Sequence, residues 1–212
     1  MIDLDNCIDQ RTRTAVHEAA HVVVAVLLYE RIEYVTIKPD ERNLGHVRSR
    51  PFLITDRDVW RCLLSTCAGN TAEERLGNDV DAEFENRYYV EGEEYTDAGR
   101  INRFLSMLSI DPTPHESLLC EAENRVRKLF RNPAVWRAVE HLATKLLERE
   151  TLDEEKASEI IMTALRRSVW ERNRFRKSEE MLAVPEFGQI LAEQLFSVRM
   201  MLEAHAARCN SI

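Results

Sequence analysis

No stretch of this chain is apolar for long enough to cross a membrane, so no membrane-spanning segment is expected. Residues 1–10 are acidic and lack an apolar core, which predicts no secretory leader. The five cysteines, Cys7, Cys62, Cys67, Cys120 and Cys209, form no CxxC pair and are odd in number. That excludes a cysteine-paired metal ribbon and favours free thiols in a reducing compartment, so a cytoplasmic protein is expected. Positive charge is in deficit: the net charge is −8, which argues against a general nucleic-acid binder. Glycine is scarce, six in 212 residues, so each one invites a reason. Internal repeats and low-complexity tracts are missing as well. What remains is an ordinary globular composition, 44% hydrophobic, enough for a sizeable core in one domain or one and a half.

Within that composition one stretch stands out. From Ala15 to Leu28 every residue is apolar except His17, Glu18 and His21. The run reads as a buried helix. Burying three ionisable groups without partners costs several kcal/mol, so something must compensate them. His17 and His21 are four apart and share a helix face. Two imidazole nitrogens placed so can bind one tetrahedral Zn²⁺, with Glu18 beside the open side of the metal to accept a proton from water. This is the HExxH pattern. The bland alternative is a pair of hydrogen-bonded core histidines and an exposed Glu18. Cys7, ten residues upstream of His17, is a candidate inhibitory thiolate.

In order along the chain, Thr12 or Thr14 is the expected cap of the HExxH helix, which should run to about residue 29. The alternating β-branched stretch 34–38 predicts a strand, and 43–48 a second. Gly45 inside the second marks a close backbone approach. A helix with Asp56 as cap follows, with an apolar stripe through Trp60, Leu64, Cys67 and Ala68, and Gly77 ends it. Residues 78–95 read as a long acidic loop. Thr96 caps a helix whose inner stripe (Ile101, Phe104, Leu105, Leu108) extends back onto Asp97. That carboxylate is either an exposed first-turn residue favoured by the helix dipole or an inward metal ligand. Helices are expected over 116–130, 133–149 and 152–170, the last opened by a Thr151–Glu154 capping box. The basic stretch from Arg166 to Lys177 reads as a solvated face or one that binds an acidic surface of its own chain. A last amphipathic helix is expected over 185–207. The expected fold is mainly α with a small antiparallel β-sheet (α+β). Residues 1–110 form the metal-binding core, 111–170 a helical bundle packed on it, and 171–212 a C-terminal extension.

Two histidines do not complete a catalytic zinc site, which takes three protein ligands and a water. The candidates for the third are Asp97, Glu73, Glu74, His46 and His115. None stands at the short spacings of the common extended HExxH motifs.

Five motifs in order carry a resemblance: Ala15-Val-His-Glu-Ala-Ala-His21, Tyr34-Val-Thr-Ile-Lys-Pro39, Asn43-Leu-Gly-His46, Ala68-Gly-Asn-Thr-Ala-Glu-Glu-Arg-Leu-Gly77 and Thr96-Asp97. Together they resemble the protease domain of the FtsH family, zinc endopeptidases fused to an AAA-type ATPase. Leu146 to Glu155 is also similar to the family's C-terminal bundle, and the likeness covers about residues 11–166. It implies that Asp97 is the third zinc ligand. Glu73 and Glu74 fall on the family's Glu-Glu pair and support the site from behind, Glu73 being the alternative ligand. Ala20 replaces a family glycine, the approach to Asp97 differs, and this sequence carries no P-loop. Residues 167–212 match nothing in the family.

The expected activity is therefore ATP-independent zinc-dependent hydrolysis of peptide bonds in unfolded or exposed polypeptide segments, with an ATPase in trans as a possible partner. The strand carrying Asn43, Leu44, Gly45, His46 and Val47 is the expected edge for an extended substrate, and His46 a candidate to hold the oxyanion. A different class of reading is a non-proteolytic zinc-containing interaction module, or a latent protease that self-associates or awaits a partner.

Overall fold

The computed structural model describes residues 9–40, 44–50, 53, 55–77, 96–109 and 111–166. Cys7, Asn43, the acidic stretch 78–95, Cys209, and the basic and C-terminal stretches from 167 onward lie outside the described residues. The elements are α1 (Gln10–Leu27), β1 (Ile32–Thr36), β2 (His46–Ser49), α2 (Asp56–Arg75), α3 (Asp97–Leu108), α4 (His115–Phe130), α5 (Pro133–Arg149), β3 (Thr151–Asp153) and α6 (Glu154–Arg166). The architecture is mainly helical with one small antiparallel sheet.

The centre of the molecule is α1. Its alanines and valines are buried around nearly the whole circumference. It packs between α2 and α5 and also touches β1 and β2. Small side chains make this possible, because Ala15, Ala19 and Ala20 let neighbouring elements approach closely. The helix starts earlier than either threonine predicts. Asp9 is the cap, and its carboxylate accepts from the Thr12 amide and hydroxyl, both at 2.8 Å. An aspartate satisfies two donors here where a threonine hydroxyl would satisfy one.

Sheet order is β2-β1-β3, antiparallel throughout. β1 lies slightly earlier than the expected 34–38, and β2 covers the later half of its expected span. The third strand is not legible in the sequence. Val35 pairs with Val47 on one side and Leu152 on the other. Thr151 therefore does not cap a helix. Its hydroxyl lies 2.8 Å from that of Thr36, and Asp153 accepts from the Lys156 amide at 2.8 Å to cap α6 instead. The cap of α2 is likewise shifted by one: Thr55 and Asp58 form a reciprocal capping box. Thr96 caps α3 as expected, accepting from the Gly99 amide at 3.2 Å.

One apolar core runs through all six helices and β1 and β3, with Trp60, Phe130, Leu142 and Ile161 among its largest fully buried members. Arg127 on α4 reaches both carboxylate oxygens of Glu74 on α2, at 3.0 and 3.3 Å. Arg75 stacks on Trp136 at 4.3 Å and bonds the Phe130 carbonyl.

Gly45 holds the entry to β2 against α1. A Cβ there would stand 2.8 Å from Thr14 Cγ2, 2.9 Å from the Thr36 carbonyl oxygen and 3.0 Å from Glu18 Cγ. Two of these neighbours are buried and one is backbone, so none yields cheaply. Gly45→Ala should destabilise the protein by about 1–3 kcal/mol, the usual range for overpacking. Thermal unfolding of the variant beside wild type checks this.

Candidate metal centre

Helical spacing brings His17 and His21 onto one face of α1, and α3 delivers Asp97 to the same point. The two Nε2 atoms are 2.9 Å apart, and each lies 3.0 Å from Asp97 Oδ2. A first-row divalent ion with bonds of about 2.0–2.2 Å in tetrahedral geometry spaces its ligand atoms by about 3.3–3.6 Å. The observed triangle is within a few tenths of an ångström of that. These three residues form a group that can hold a metal ion.

Both rings are locked from behind. His21 Nδ1–H donates to the Ser65 carbonyl oxygen at 2.7 Å, and His17 Nδ1 lies 2.6 Å from Glu73 Oε1. With a proton on each Nδ1, both Nε2 lone pairs face the Asp97 carboxylate. Three acceptors then converge on one point, an arrangement that requires positive charge between them. The demand shows in the titration of the group. Burial disfavours the His17 imidazolium, yet the hydrogen bonds to Asp97 and Glu73 prevail and carry its pKa up to about 10. Burial also works against the Asp97 carboxylate, but the charge and hydrogen bonds of His21 and His17 hold it well below the usual range.

The sequence-derived candidates separate cleanly by position. Glu73 touches the back of His17 rather than the metal face. Glu74 turns away to Arg127 on α4. His115 donates from Nε2 to the Ser109 carbonyl oxygen at 2.8 Å. His46 lies 3.1 Å from the Tyr34 hydroxyl through Nε2 and 3.7 Å from Asp40 Oδ2 through Nδ1. Glu73→Gln should weaken metal binding by about 10- to 100-fold, the usual loss for a support of this kind, while the fold persists. A chelator competition titration reads the change directly.

All three donor residues line a cleft of about 310 Å³, together with Glu18 and the β2 segment carrying Leu44, Gly45, His46 and Val47. Leu44 is 53% exposed at its rim. Glu18 is only 6% exposed, and burial pushes its carboxyl pKa up against the opposing pull of His21 and His17. A raised carboxyl pKa suits a proton acceptor that must also give the proton away.

Four contributors were not singled out by sequence reasoning. Ser65 acts through its carbonyl oxygen, which no side-chain pattern reports. Gly69 faces both imidazoles across the α1–α2 contact: a Cβ there would lie 2.5 Å from His17 Cε1 and Nε2 and from His21 Nε2. An isolated glycine in the middle of a helix was the available signal, since it costs about 1 kcal/mol relative to alanine. Arg100 lines the cleft one turn beyond Asp97. Glu30 lines it as well, just past the end of α1.

Burial raises the Glu30 pKa from its ordinary 4.5 to about 7, opposed by the Ser65 hydrogen bond and the charges of Arg61, Arg100 and His21. Between those two values the folded carboxyl keeps a proton that the unfolded chain has lost. Its contribution to stability therefore falls as pH rises through that window. Glu30→Gln should accordingly melt at a higher temperature than wild type at pH 8 and close to it at pH 4. Calorimetric scans at the two pH values test the sign.

The chain matches no family model, and no curated protein shows significant similarity to it. Among the described residues no helix is long and apolar enough to cross a membrane.

Proposed function

We propose that this chain is a zinc metalloendopeptidase acting on unfolded or exposed polypeptide segments without ATP. The observation that carries the reading is the convergence of His17 Nε2, His21 Nε2 and Asp97 Oδ2 on one point of a cleft that Glu18 also lines. Two imidazoles and one carboxylate match the zinc ligand set of hydrolytic sites. The order of the five FtsH-like motifs supports the same assignment.

His17, His21 and Asp97 would hold the zinc, which would supply Lewis acidity to lower the pKa of water and to stabilise negative charge on a carbonyl oxygen. The residues do the rest. Glu73 and Ser65 fix the ring orientations. Glu18 takes the proton from the attacking water and returns it to the departing amine. Among the described residues β2 is an edge strand of its sheet. Its free side can pair with an extended peptide and set the scissile bond across the cleft. His46 lines the same cleft and is our candidate to donate toward the developing oxyanion, a role for which its ring would have to leave the Tyr34 hydroxyl. Substrates that need no unfolding motor are flexible tails and unfolded chains; folded ones would require an ATPase partner.

The test is elemental analysis of purified protein, paired with casein cleavage in the absence of ATP, before and after chelation and zinc restoration. One zinc per chain with cleavage that follows the metal supports the peptidase. Zinc without cleavage favours the interaction module or a latent enzyme. Neither zinc nor cleavage removes the proposal.

A further inference from the structure

The inner part of the cleft holds a carboxyl group that hydrolysis itself does not use. Glu30 lines the cleft with the apolar Ala25, Ile32, Cys62 and Phe104 and with the polar Ser65, Thr66 and Arg100. Cys62 is present as a neutral thiol, because burial raises its pKa far above the physiological range. Glu30 Oε2 accepts from the Ser65 hydroxyl at 3.1 Å, whereas Oε1 is buried and, among the described residues, has no hydrogen-bond partner. Arg61 and Arg100 bring positive charge toward it, but among the described residues neither forms an ion pair with it within 4.0 Å. As a carboxylate, the group has no donor for Oε1. As an acid its hydroxyl lacks an acceptor. Either state leaves a buried polar atom unmet, an expensive feature to keep without use. The side chain thus lines the cleft with one carboxyl oxygen on Ser65 and the other left for a visitor.

A long aliphatic stem with a cationic head matches both parts of this space: methylenes against the apolar side chains, charge against Glu30. We infer that Glu30 is a specificity-determining residue, receiving the side chain of a substrate lysine or arginine next to the scissile bond. The inference rests on the peptidase reading for its substrate, but not for its binding chemistry. The two are therefore tested separately.

The first arm uses small probes on the zinc-loaded protein at pH 8, followed by NMR titration. n-Butylguanidinium and n-butylamine should bind wild type at least tenfold more tightly than n-pentanol, and Glu30→Gln should erase the difference. Equal binding of charged and neutral probes by wild type overturns the inference, as does an undiminished preference in Glu30→Gln. Equal binding by wild type overturns the inference even if the Gln variant does not fold, and Glu30→Met then serves to assign any preference to Glu30. The second arm uses peptide pairs that carry lysine or norleucine beside the cleaved bond. The ratio of kcat/KM should favour lysine at least tenfold in wild type and fall toward one in Glu30→Gln; a wild-type ratio near one overturns the inference. Cleavage of neither peptide removes the peptidase reading, and the probe arm still decides Glu30.

Discussion

Glu18→Gln should reduce peptide hydrolysis by about 10²- to 10⁴-fold while zinc content stays at one per chain, the loss expected when a general base is removed and binding is kept. The amide has nearly the shape of the carboxylate but cannot accept the proton of the attacking water. Because Glu18 is not among the three converging donors, the metal should remain. Folding should not suffer either. Burial already works against the ionised carboxylate, so a neutral group in its place relieves that cost. Parallel measurement of metal content, melting temperature and casein cleavage separates these effects. Activity within tenfold of wild type would place the base elsewhere in the cleft.

Gly69→Ala should lower zinc affinity by more than about 100-fold, beyond the usual loss for a residue behind the ligands. Elsewhere in a helix this substitution stabilises by about 1 kcal/mol. Here the added methyl would meet both metal-facing nitrogens at 2.5 Å. The rings cannot retreat without breaking the Nδ1 contacts to Glu73 and the Ser65 carbonyl oxygen. Helix content by circular dichroism should be retained while the chelator competition midpoint collapses. An unchanged midpoint would mean that α2 can shift to absorb the methyl.

Much of the fold was legible because local chemistry specifies it. The period of apolar residues gave the helices, Pro133 and Thr96 marked two of their starts, and the β-branched run gave β1. The HExxH helix announced its two metal-facing rings by spacing alone. Asp97 stood at the inner end of an apolar stripe, and the FtsH-like motif order pointed to it. Other parts were invisible for identifiable reasons. β3 is three residues long, too short for a period, and exists because β1 offers a free edge. Ser65 works through its backbone. Glu30 is a single acid after a helix, and only the packing of α2 against that region shows that Oε1 is left unmatched. Choosing among Glu73, Glu74, His46 and His115 required knowing which way each side chain turns, a tertiary question.

The central strand has a consequence for synthesis of the chain. Thr36 pairs with Thr151, and α1 packs against α5. Every donor of the metal cluster lies in the first half of the polypeptide, yet the sheet beside it is completed by residues made more than a hundred positions after β1. Such long-range pairings form late and raise contact order. A ribosome-bound chain stopped before α5 therefore has the histidines and Asp97 but not the packing that aligns them. On the peptidase reading, activity would then be gated by translation: the emerging polypeptide could not turn on its neighbours, or on itself, until α5 and β3 are out.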